Sequence, residues 1–585
     1  MYIFNFIKSK ILVITVLLAC VCALGCTQKE NNEQVDLNEY LNIMDIGGYE
    51  GMAVVVNGEA KGTGFVDGDV CYLPYDVVRG EVDNNYYWDV NEKLLTYATS
   101  KKVYDAKVDA NEYTEDGVVK SCNSKIVICV DDMAYISLEY IELMNGAIKG
   151  TVFDEPSRIV INTMDSLDVV TAKADVKVRS GLSKNDDIVA MVDKGERLIV
   201  AGVNGERTLV YTEDGLMGYV ENSKISEVTV EAVEKSQGWM DTEKYEYINM
   251  DEKVCLGWHQ MESIGGNDSL ASVLKGVEGL NVISPTWFKL ADGFGEINSL
   301  ASSNYVKKAH NNDIKVWGLV SDFNKDEEGN YYVNQVVTNT SSRRKLIENI
   351  LKEAENCGMD GINVDFEMVR KVAAEGYVQF IRELAIACEK AGLVLSVDMY
   401  VPTESNKYYD RTSVGLAADY LIIMGYDEHW AGCGSAGSVA SLPYVTNGIV
   451  DTLQEVPASR VINAIPFYTR VWYESPLEIA PEDSIIVEDP INGDYALSSK
   501  AVGMGVAEKY LKENGATSRW LEDLGQNYGE FYTSEGRLGR VWLEDEKSLT
   551  AKLNVMKANN LAGVACWKLG LESEVAWEVI GEFLK

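Results

Sequence analysis

From about residue 250 onward, the sequence alternates regularly between apolar strands and amphipathic helices. In its clearest section, three strand segments enclose two helices. The first helix can be capped by Ser341 or Ser342 and ends at Gly358, and the second ends at Gly392. A strand–helix–strand–helix–strand order requires parallel strands joined by crossover helices. The alternation therefore limits this part of the chain to a closed α/β barrel or a doubly wound open sheet.

The number of strand segments favours the closed barrel. Eight strands over about 330 residues fit an α/β fold of the (β/α)8 TIM barrel type, whereas the open sheet would need a glycine-rich phosphate loop after its first strand, which is missing. The long gap before the last strand predicts an insertion between strands seven and eight at 475–545. The predicted strands are 254–258, 280–287, 314–320, 362–367, 393–400, 420–427, 461–468 and 563–567.

The fourth predicted strand carries a row of polar side chains. Residues two apart on a strand share a face, so Asn363, Asp365 and Glu367 form one row and the apolar residues between them form the other. In a barrel the polar row points inward, with Glu367 at the carboxyl end, where barrel active sites lie. Buried carboxylates are costly unless they are satisfied. The row therefore predicts a catalytic site, in which Asp360 has no place because its parity is opposite.

The segment at 360–367, DGINVDFE, resembles the DxxDxDxE signature of glycoside hydrolase family 18, the chitinase-like enzymes. Three other segments are similar to motifs of that family: MGYD at 424–427, PFYTR at 466–470 and GVACWKLG around Trp567. The likeness covers roughly residues 250–585. It looks closest to the branch that acts on bacterial cell wall and spore cortex.

The resemblance implies a retaining glycosidase that cleaves next to N-acetylglucosamine and uses the substrate's own acetamido group as nucleophile. It makes Glu367 the general acid and base, and Asp365 the group that orients the acetamide and stabilises the oxazolinium-like cation. Tyr426 would donate a hydrogen bond to the acetamido group, and Trp567 would form the floor of the sugar subsite. Three further residues could contact substrate or support the barrel rim: Asp427, Tyr468 and Arg470.

Asn363 departs from the family pattern, in which many members carry Asp. Two adjacent acids can share a proton, because like-charge repulsion raises the pKa of one of them. Asn363 cannot ionise. We therefore expect it to lie among the substrate-binding residues, to hold Asp365 as an anion through its amide, and to alter the acid limb of the pH profile.

The N-terminus predicts export and lipidation. Two lysines precede an apolar run of about 15 residues, and a polar segment follows it. Residues 1–25 are predicted to be a lipoprotein signal peptide, with Cys26 the lipidated residue; Cys20 is the alternative. A polar tether at 26–45 follows. This predicts an extracytoplasmic protein anchored to the membrane at the bacterial cell surface.

Two more domains are predicted between the tether and the barrel. Residues 46–166 repeat with a period of about 63 to 65 residues and resemble the α+β copper-amine-oxidase N-terminal-like stalk domain of bacterial surface proteins, although nothing there would bind copper. Residues 170–228 resemble bacterial Src-homology-3-like domains, small β-barrels that in many exported hydrolases are thought to engage peptidoglycan. The alternative role for this domain is a spacer. The catalytic barrel is assigned to 250–585.

Charge and residue spacing limit the partners. With 91 acidic and 53 basic residues, the formal net charge of −38 disfavours nucleic-acid binding. The cysteines and histidines show no metal-ligand spacing, so neither a metal nor a cofactor is predicted. The predicted partners are peptidoglycan or a chitin-like polysaccharide, and the membrane through the lipid anchor.

Three functions remain open. The first is an exported glycosidase acting on peptidoglycan, which the predicted anchor and Src-homology-3-like domain favour. The second is a chitinase acting on exogenous chitin. The third is a non-catalytic carbohydrate-binding wall protein, but such relatives typically lose the terminal acid, and this chain keeps Glu367, Asp365 and Tyr426.

Overall fold

The computed structural model of the chain describes residues 30–233 and 244–585. The predicted signal peptide and Cys26 lie outside the described residues. No helix within those two ranges is long and apolar enough to cross a membrane. The described residues fall into two units: the first contains residues 30–43, Ala53–Lys61 and residues 150–233, and the second contains Met44–Met52, Gly62–Lys149 and residues 244–585.

Eight parallel strands close a barrel in the second unit, which confirms the predicted (β/α)8 fold. Each strand pairs with the next one, and the first strand pairs with the last. Each strand overlaps the segment predicted for it. The strands are β1 (Val254–His259), β2 (Val282–Pro285), β3 (Lys315–Ser321), β4 (Gly361–Asp365), β5 (Val394–Tyr400), β6 (Tyr420–Met424), β7 (Val461–Pro466) and β8 (Gly563–Trp567).

Helices connect these strands, and one more helix follows the last strand. They are α1 (Ser303–His310), α2 (Tyr332–Thr338), α3 (Thr340–Cys357), α4 (Ala374–Ala391), α5 (Arg411–Ala417), α6 (Leu442–Thr452), α7 (Glu546–Ala558) and α8 (Glu574–Leu584), and the short helix Leu270–Val273 lies between β1 and β2. The two longest helices end where the sequence predicted, because Gly358 and Gly392 adopt left-handed conformations with φ of 72° and 70°.

An insertion starts directly after β7. It is a six-stranded antiparallel sheet with the helix Met504–Glu513 packed against it. The insertion begins at Tyr468 rather than at residue 475, because β7 continues into the first strand of this sheet with one residue between them. The strands are Tyr468–Ser475, Ile485–Val487, Tyr495–Gly503, Arg519–Leu521, Gln526–Tyr532 and Leu538–Leu543.

Part of the N-terminal region belongs to the same unit as the barrel. Five strands form an antiparallel sheet, namely Tyr86–Asp89, Leu94–Ala98, Val103–Lys107, Glu112–Glu115 and Val118–Ser121. The carboxylate of Asp89 accepts hydrogen bonds from the backbone N–H and the hydroxyl of Thr340, at 2.6 and 2.7 Å. This sheet therefore caps the first turn of α3. The same unit contains strands Val70–Pro74, Val127–Val130 and Met133–Ser137, the C-terminal end of strand Glu59–Asp67, and helices Tyr75–Val77, Val78–Val82 and Leu138–Met144.

The first unit contains a seven-stranded antiparallel sheet between residues 166 and 232. Its small apolar core includes Val178, Leu198 and Val210. The Src-homology-3-like and stalk-like assignments stay predictions. The strands of this sheet are Ser166–Thr171, Val176–Arg179, Ile188–Val192, Arg197–Asn204, Arg207–Tyr211, Met217–Glu221 and Thr229–Ala232, and the unit also contains helix Leu37–Tyr40, strands Gly150–Asp154 and Ser157–Ile161, and most of strand Gly51–Val56.

Candidate active site

A cavity of about 280 Å³ opens where the barrel strands end. Side chains at or just beyond the carboxyl ends of most strands line it, which is the place where TIM barrels carry their active sites. The lining residues used below are Trp258, Gln260, Glu262, Lys289, Ser321, Phe323, Asp365, Glu367, Asp398, Tyr400, Tyr426, Asp427 and Trp567.

Strand β4 brings two of its three predicted polar residues into this cavity. Asp365 is the last residue of the strand and Glu367 follows two residues later, and both line the cavity. Asn363 is fully buried and does not line it. Asn363 is thus placed below the cavity floor rather than in contact with it.

Groups on two neighbouring strands fix Glu367. Asp322, which follows β3 and is fully buried, accepts the backbone N–H of Glu367 at 3.0 Å and that of Met368 at 2.7 Å. The hydroxyl of Tyr400 on β5 donates to the Glu367 carboxylate. The backbone and the side chain of Glu367 are therefore both held.

Three carboxyl groups in or beside the cavity, those of Glu367, Asp365 and Asp322, have raised pKa values. Burial raises the pKa of Glu367 above its ordinary range; the Tyr400 hydrogen bond opposes this rise and the charge of Asp427 adds to it. Burial, with the charges of Glu367, Asp398 and Asp322, holds the pKa of Asp365 well above its usual value. Burial also raises the pKa of Asp322 to about 7 although two backbone N–H groups stabilise its anion. A carboxyl that keeps its proton near neutral pH can act as a general acid.

The expectation that the amide of Asn363 holds Asp365 is wrong. The indole Nε1 of Trp258 and the hydroxyl of Ser284 donate to Asn363 Oδ1, at 2.9 and 3.0 Å. Because an indole N–H can only donate, Nδ2 faces the other way and donates to Asp398 Oδ1 at 2.8 Å. Two residues along a strand span about 6.6 Å, so the amide reaches a neighbouring strand more easily than Asp365. The raised pKa of Asp365, caused by burial and by the neighbouring carboxylates, also disfavours the anion that the sequence led us to expect there.

Sequence reasoning missed Asp398. It lies on β5 in register with the end of β4: Asn363 pairs with Ser396 and Val364 with Val397, so the register continues to Asp365 beside Asp398. Burial holds the pKa of Asp398 well above its usual value; the Asn363 amide lowers it and the charge of Glu367 raises it. The signal was present, since Asp398 interrupts an apolar strand with inward parity. Asp322 and Tyr400 were also missed.

The remaining predicted site residues fall into two groups. Tyr426, Asp427 and Trp567 line the cavity, and Trp567 packs edge-on against Trp258 with ring centroids 5.7 Å apart. Tyr468 and Arg470 do not line it. The Tyr468 hydroxyl donates to Asp427 and so supports the rim, whereas Arg470 donates to Ser499 in the sheet of the insertion, at 2.9 Å.

Asp360 lies outside the polar row, as predicted, and directly precedes β4 at the amino end of the barrel. Its carboxylate accepts the backbone N–H of Val316 at 2.9 Å, contacts His310 at 2.7 Å and pairs with Lys315 at 2.9 Å. Asp360 therefore stabilises the amino end of β4. Within residues 30–233 and 244–585, no group of three or more His, Cys, Asp or Glu side chains could hold a metal ion.

Buried carboxylic acids around a cavity at the carboxyl end of a TIM barrel fit a glycosidase type of site. Comparison with known families agrees: residues 285–572 match the profile described as "Glycosyl hydrolases family 18". The barrel is a glycosyl hydrolase family 18 domain. The predicted family and the glycosidase class are confirmed for this domain.

Individual relatives match over part of the chain. The "Uncharacterized glycosylase YvbX" of Bacillus subtilis is 25% identical over 327 residues, which are 54% of this chain and 88% of that protein. The "Cortical fragment-lytic enzyme" of Bacillus subtilis is 24% identical over 270 residues, or 44% of this chain and 56% of that enzyme. In several curated relatives, including this enzyme, the chain spans little more than half of the protein's length.

Among solved structures, the C-terminal domain of a "putative chitinase" from Desulfitobacterium hafniense has a TM-score of 0.50 at 20% sequence identity. The match covers 57% of this chain and 100% of that domain. At this identity the likeness concerns the fold alone.

Proposed function

We propose that the chain is a glycosidase that cleaves β-1,4 linkages at N-acetylglucosamine in peptidoglycan, with retention of configuration and with the substrate's acetamido group as nucleophile. The observation that carries this proposal is the joint placement of Glu367, Asp365 and Tyr426 in one cavity of a family 18 barrel. Retention of all three supports an enzyme over a non-catalytic binding protein.

In the first step, protonated Glu367 gives its proton to the glycosidic oxygen. The acetamido oxygen of the sugar on the other side of the bond attacks the anomeric carbon, the bond to the leaving group breaks, and an oxazolinium ion forms. The Asp365 carboxylate accepts the acetamide N–H and stabilises the cation, while the Tyr426 hydroxyl donates to the acetamido oxygen. Ionised Glu367 then takes a proton from a water molecule. The water oxygen attacks the anomeric carbon from the side on which the leaving group departed, which opens the oxazolinium ring and retains the configuration.

Asp398 supplies the second carboxyl that Asn363 lacks. Two buried carboxyls side by side cannot both ionise at little cost, so the Asp365–Asp398 pair holds one proton before reaction. The positive charge of the oxazolinium ion favours ionised Asp365, and the proton then resides on Asp398. The Asn363 amide donates to Oδ1 of Asp398, so this oxygen must accept a hydrogen bond. The other carboxyl oxygen of Asp398, Oδ2, is left to carry the proton.

The name of one relative, a cortical fragment-lytic enzyme, supports peptidoglycan as the substrate. The predicted lipid anchor at Cys26 and the predicted Src-homology-3-like domain support the same choice, and we infer an extracytoplasmic location at the bacterial cell surface. Chitin is the second candidate, because a solved structure with the same fold is described as a chitinase.

Product analysis tests this proposal. Peptidoglycan is digested, the new reducing ends are reduced with borohydride, and the products are identified by mass spectrometry. We expect N-acetylglucosaminitol at the new ends, and we expect Glu367→Gln to lower the rate by about 10²- to 10⁴-fold. Glu355→Gln, an exposed change on α3, is the matched control and should keep the wild-type rate. N-acetylmuramitol at the new ends, or equal rates for wild type and Glu367→Gln, would contradict the proposal.

A further inference from the structure

Among the described residues, Lys289 is the only cationic side chain that lines the catalytic cavity. The rest of the charged lining is acidic. Such a cavity repels an anionic substrate unless a cation offsets the negative potential locally. Lys289 is therefore the lining residue that could attract a negatively charged group of the ligand. The acidic lining residues are Glu262, Asp365, Glu367, Asp398 and Asp427.

The local strand directs Lys289 toward the cavity. The short strand Phe288–Leu290 follows β2, and Phe288 and Leu290 are fully buried in the barrel core while Lys289 is exposed. Alternation along a strand then places Lys289 on the opposite face. Lys289 pairs in register with Ser321 of β3, which also lines the cavity. Lys289 thus lies on the β2–β3 side of the cavity mouth.

No acidic side chain of the described residues forms an ion pair with Lys289. By contrast, the ammonium group of Lys568, near the same mouth, is hydrogen-bonded to Gln260. Phe323, which lines the same cavity, is half exposed and adds an apolar surface to it. A cation with no protein partner, next to an apolar surface at a sugar cavity, is available to a ligand carboxylate.

We propose that Lys289 binds a carboxylate of the substrate, either the lactyl carboxylate of N-acetylmuramic acid or a carboxylate of the peptide attached to it. An uncharged homopolymer of N-acetylglucosamine offers Lys289 no partner. The inference rests on the proposed glycosidase function and specifies its substrate class as an anionic glycan that contains muramic acid.

The effect should be moderate and sensitive to salt. An ion pair at the mouth of a cavity is partly solvated, so its loss should change the rate by about five- to tenfold rather than by orders of magnitude. Salt screens such a pair over about 8 Å at physiological ionic strength. Both properties differ from those expected for a residue that takes part in bond cleavage.

The test compares kcat/KM on three substrates: peptide-free glycan strands with lactyl carboxylates, the same strands with their peptides, and N-acetylglucosamine oligomers. The measured quantity is kcat/KM for charged strands divided by kcat/KM for neutral oligomers. We expect Lys289→Met to lower this ratio about five- to tenfold. We expect Lys289→Arg, which keeps the charge, to retain most of the wild-type ratio. A drop in the ratio on peptide-free strands identifies the lactyl carboxylate as the partner. A drop confined to peptide-bearing strands identifies the peptide.

Lys325→Met is the matched control, because it removes the same charge from a lysine that stacks on Tyr331, with 4.3 Å between its ammonium nitrogen and the ring centroid, and does not line the cavity. An unchanged ratio in Lys289→Met, or an equal change in Lys325→Met, would overturn the inference while leaving the glycosidase function intact. A wild-type protein that cleaves none of the three substrates would overturn both.

Discussion

The position of Glu367 is set by residues that lie outside its own strand. Asp322 accepts two consecutive backbone N–H groups, those of Glu367 and Met368, and Tyr400 donates to the Glu367 side chain. A catalytic acid must be held close to its productive geometry, because a displacement of about 1 Å can cost about 10²-fold in rate. Asp322 therefore acts as a positioning residue.

Replacing Asp322 should separate positioning from binding. In Asp322→Asn one oxygen acceptor becomes an NH2 group, so one of the two backbone N–H groups loses its partner. We expect kcat to fall roughly 10- to 100-fold with little change in KM. Because the pKa of Asp322 is about 7, an ionisation near that pH should also disappear from the pH–rate profile. Steady-state kinetics across pH measure both effects.

Asp360→Asn provides the comparison. Asp360 also accepts a backbone N–H, but at the amino end of β4 and away from the cavity. We expect this change to lower the midpoint of thermal unfolding while kcat at 25 °C stays near wild type. If both variants lose kcat equally, Asp322 has no special role in positioning Glu367.

Asn363→Asp should destabilise the fold in a pH-dependent way. The change removes the donor to Asp398 and adds a buried carboxyl beside it, and the pKa of Asp398 is already well above its usual value. Groups with raised pKa values in the folded state bind protons more tightly there, so stability falls as pH rises above the ordinary carboxyl pKa of about 4. We expect a loss of about 3 kcal/mol at pH 7 and a smaller loss at pH 5. Equal losses at both pH values in urea unfolding would contradict this account.

The sequence predicted the residues of β4 better than their partners. Period-two alternation was sufficient to place Asp365 and Glu367 on the inward face, and their late position in the predicted strand placed them at the active end, because both signals depend only on the strand itself. The partner of Asn363 depends on the register with β5, which no local pattern encodes. Asp398 carried the same alternation signal on β5 but no family motif drew attention to it.

At the scale of elements, a buried ion pair joins the insertion to α7. The ammonium of Lys552 contacts both oxygens of Glu544 at 2.6 and 2.7 Å, and both side chains are fully buried. Gln526 and Ser548 also donate to Glu544, at 2.7 and 2.9 Å. The chain thus returns from the insertion to the barrel through a fully hydrogen-bonded charged group.

Removing one member of this pair should be costly. Lys552→Met leaves the Glu544 charge buried without its cation, and breaking such a pair typically costs about 3–5 kcal/mol. We expect a loss of that size in the free energy of unfolding measured with urea. The double variant Lys552→Met/Glu544→Gln should recover part of the loss. A double variant no more stable than the single one would show that burial of an unpaired charge is not the cause.

The start of α3 shows why element boundaries are harder to predict than element types. The sequence placed the cap at Ser341 or Ser342, but the helix begins at Thr340. The backbone N–H and the hydroxyl of Thr340 donate hydrogen bonds to the carboxylate of Asp89. The same two groups of Ser341 donate to the carboxylate of Glu92. These partners lie some 250 residues earlier in the chain. The prediction of the helix was right because its apolar face is local, and its cap was missed because the cap is tertiary.

At the scale of the whole molecule, the five-stranded sheet between residues 86 and 121 is part of the unit that contains the barrel. Besides Asp89, its Asp105 accepts a hydrogen bond from Arg344 of α3 at 2.8 Å, and the preceding Asn84 accepts hydrogen bonds from Arg382 of α4 at 2.8 and 3.0 Å. The sheet therefore stabilises two barrel helices, α3 and α4.

Asp89→Ala should test this support. The change removes two hydrogen bonds to Thr340, one of them to a buried helix N–H, and loss of a helix cap costs about 0.5–2 kcal/mol. We expect the free energy of unfolding to drop by that amount while kcat/KM at 25 °C stays within about twofold of wild type. Unchanged stability would mean that the sheet does not support the barrel through α3.

The central claim is that the substrate's own acetamido group attacks the anomeric carbon while Glu367 protonates the leaving oxygen. Fluorinating the acetamide weakens its oxygen as a nucleophile without changing its size greatly. The most direct measurement is therefore kcat/KM for a series of N-acetyl, N-fluoroacetyl and N-trifluoroacetyl glucosaminides. We expect a steep fall along the series, on the order of 100-fold or about 2.7 kcal/mol in the barrier. A flat series would mean that an enzyme group performs the attack and would contradict the account.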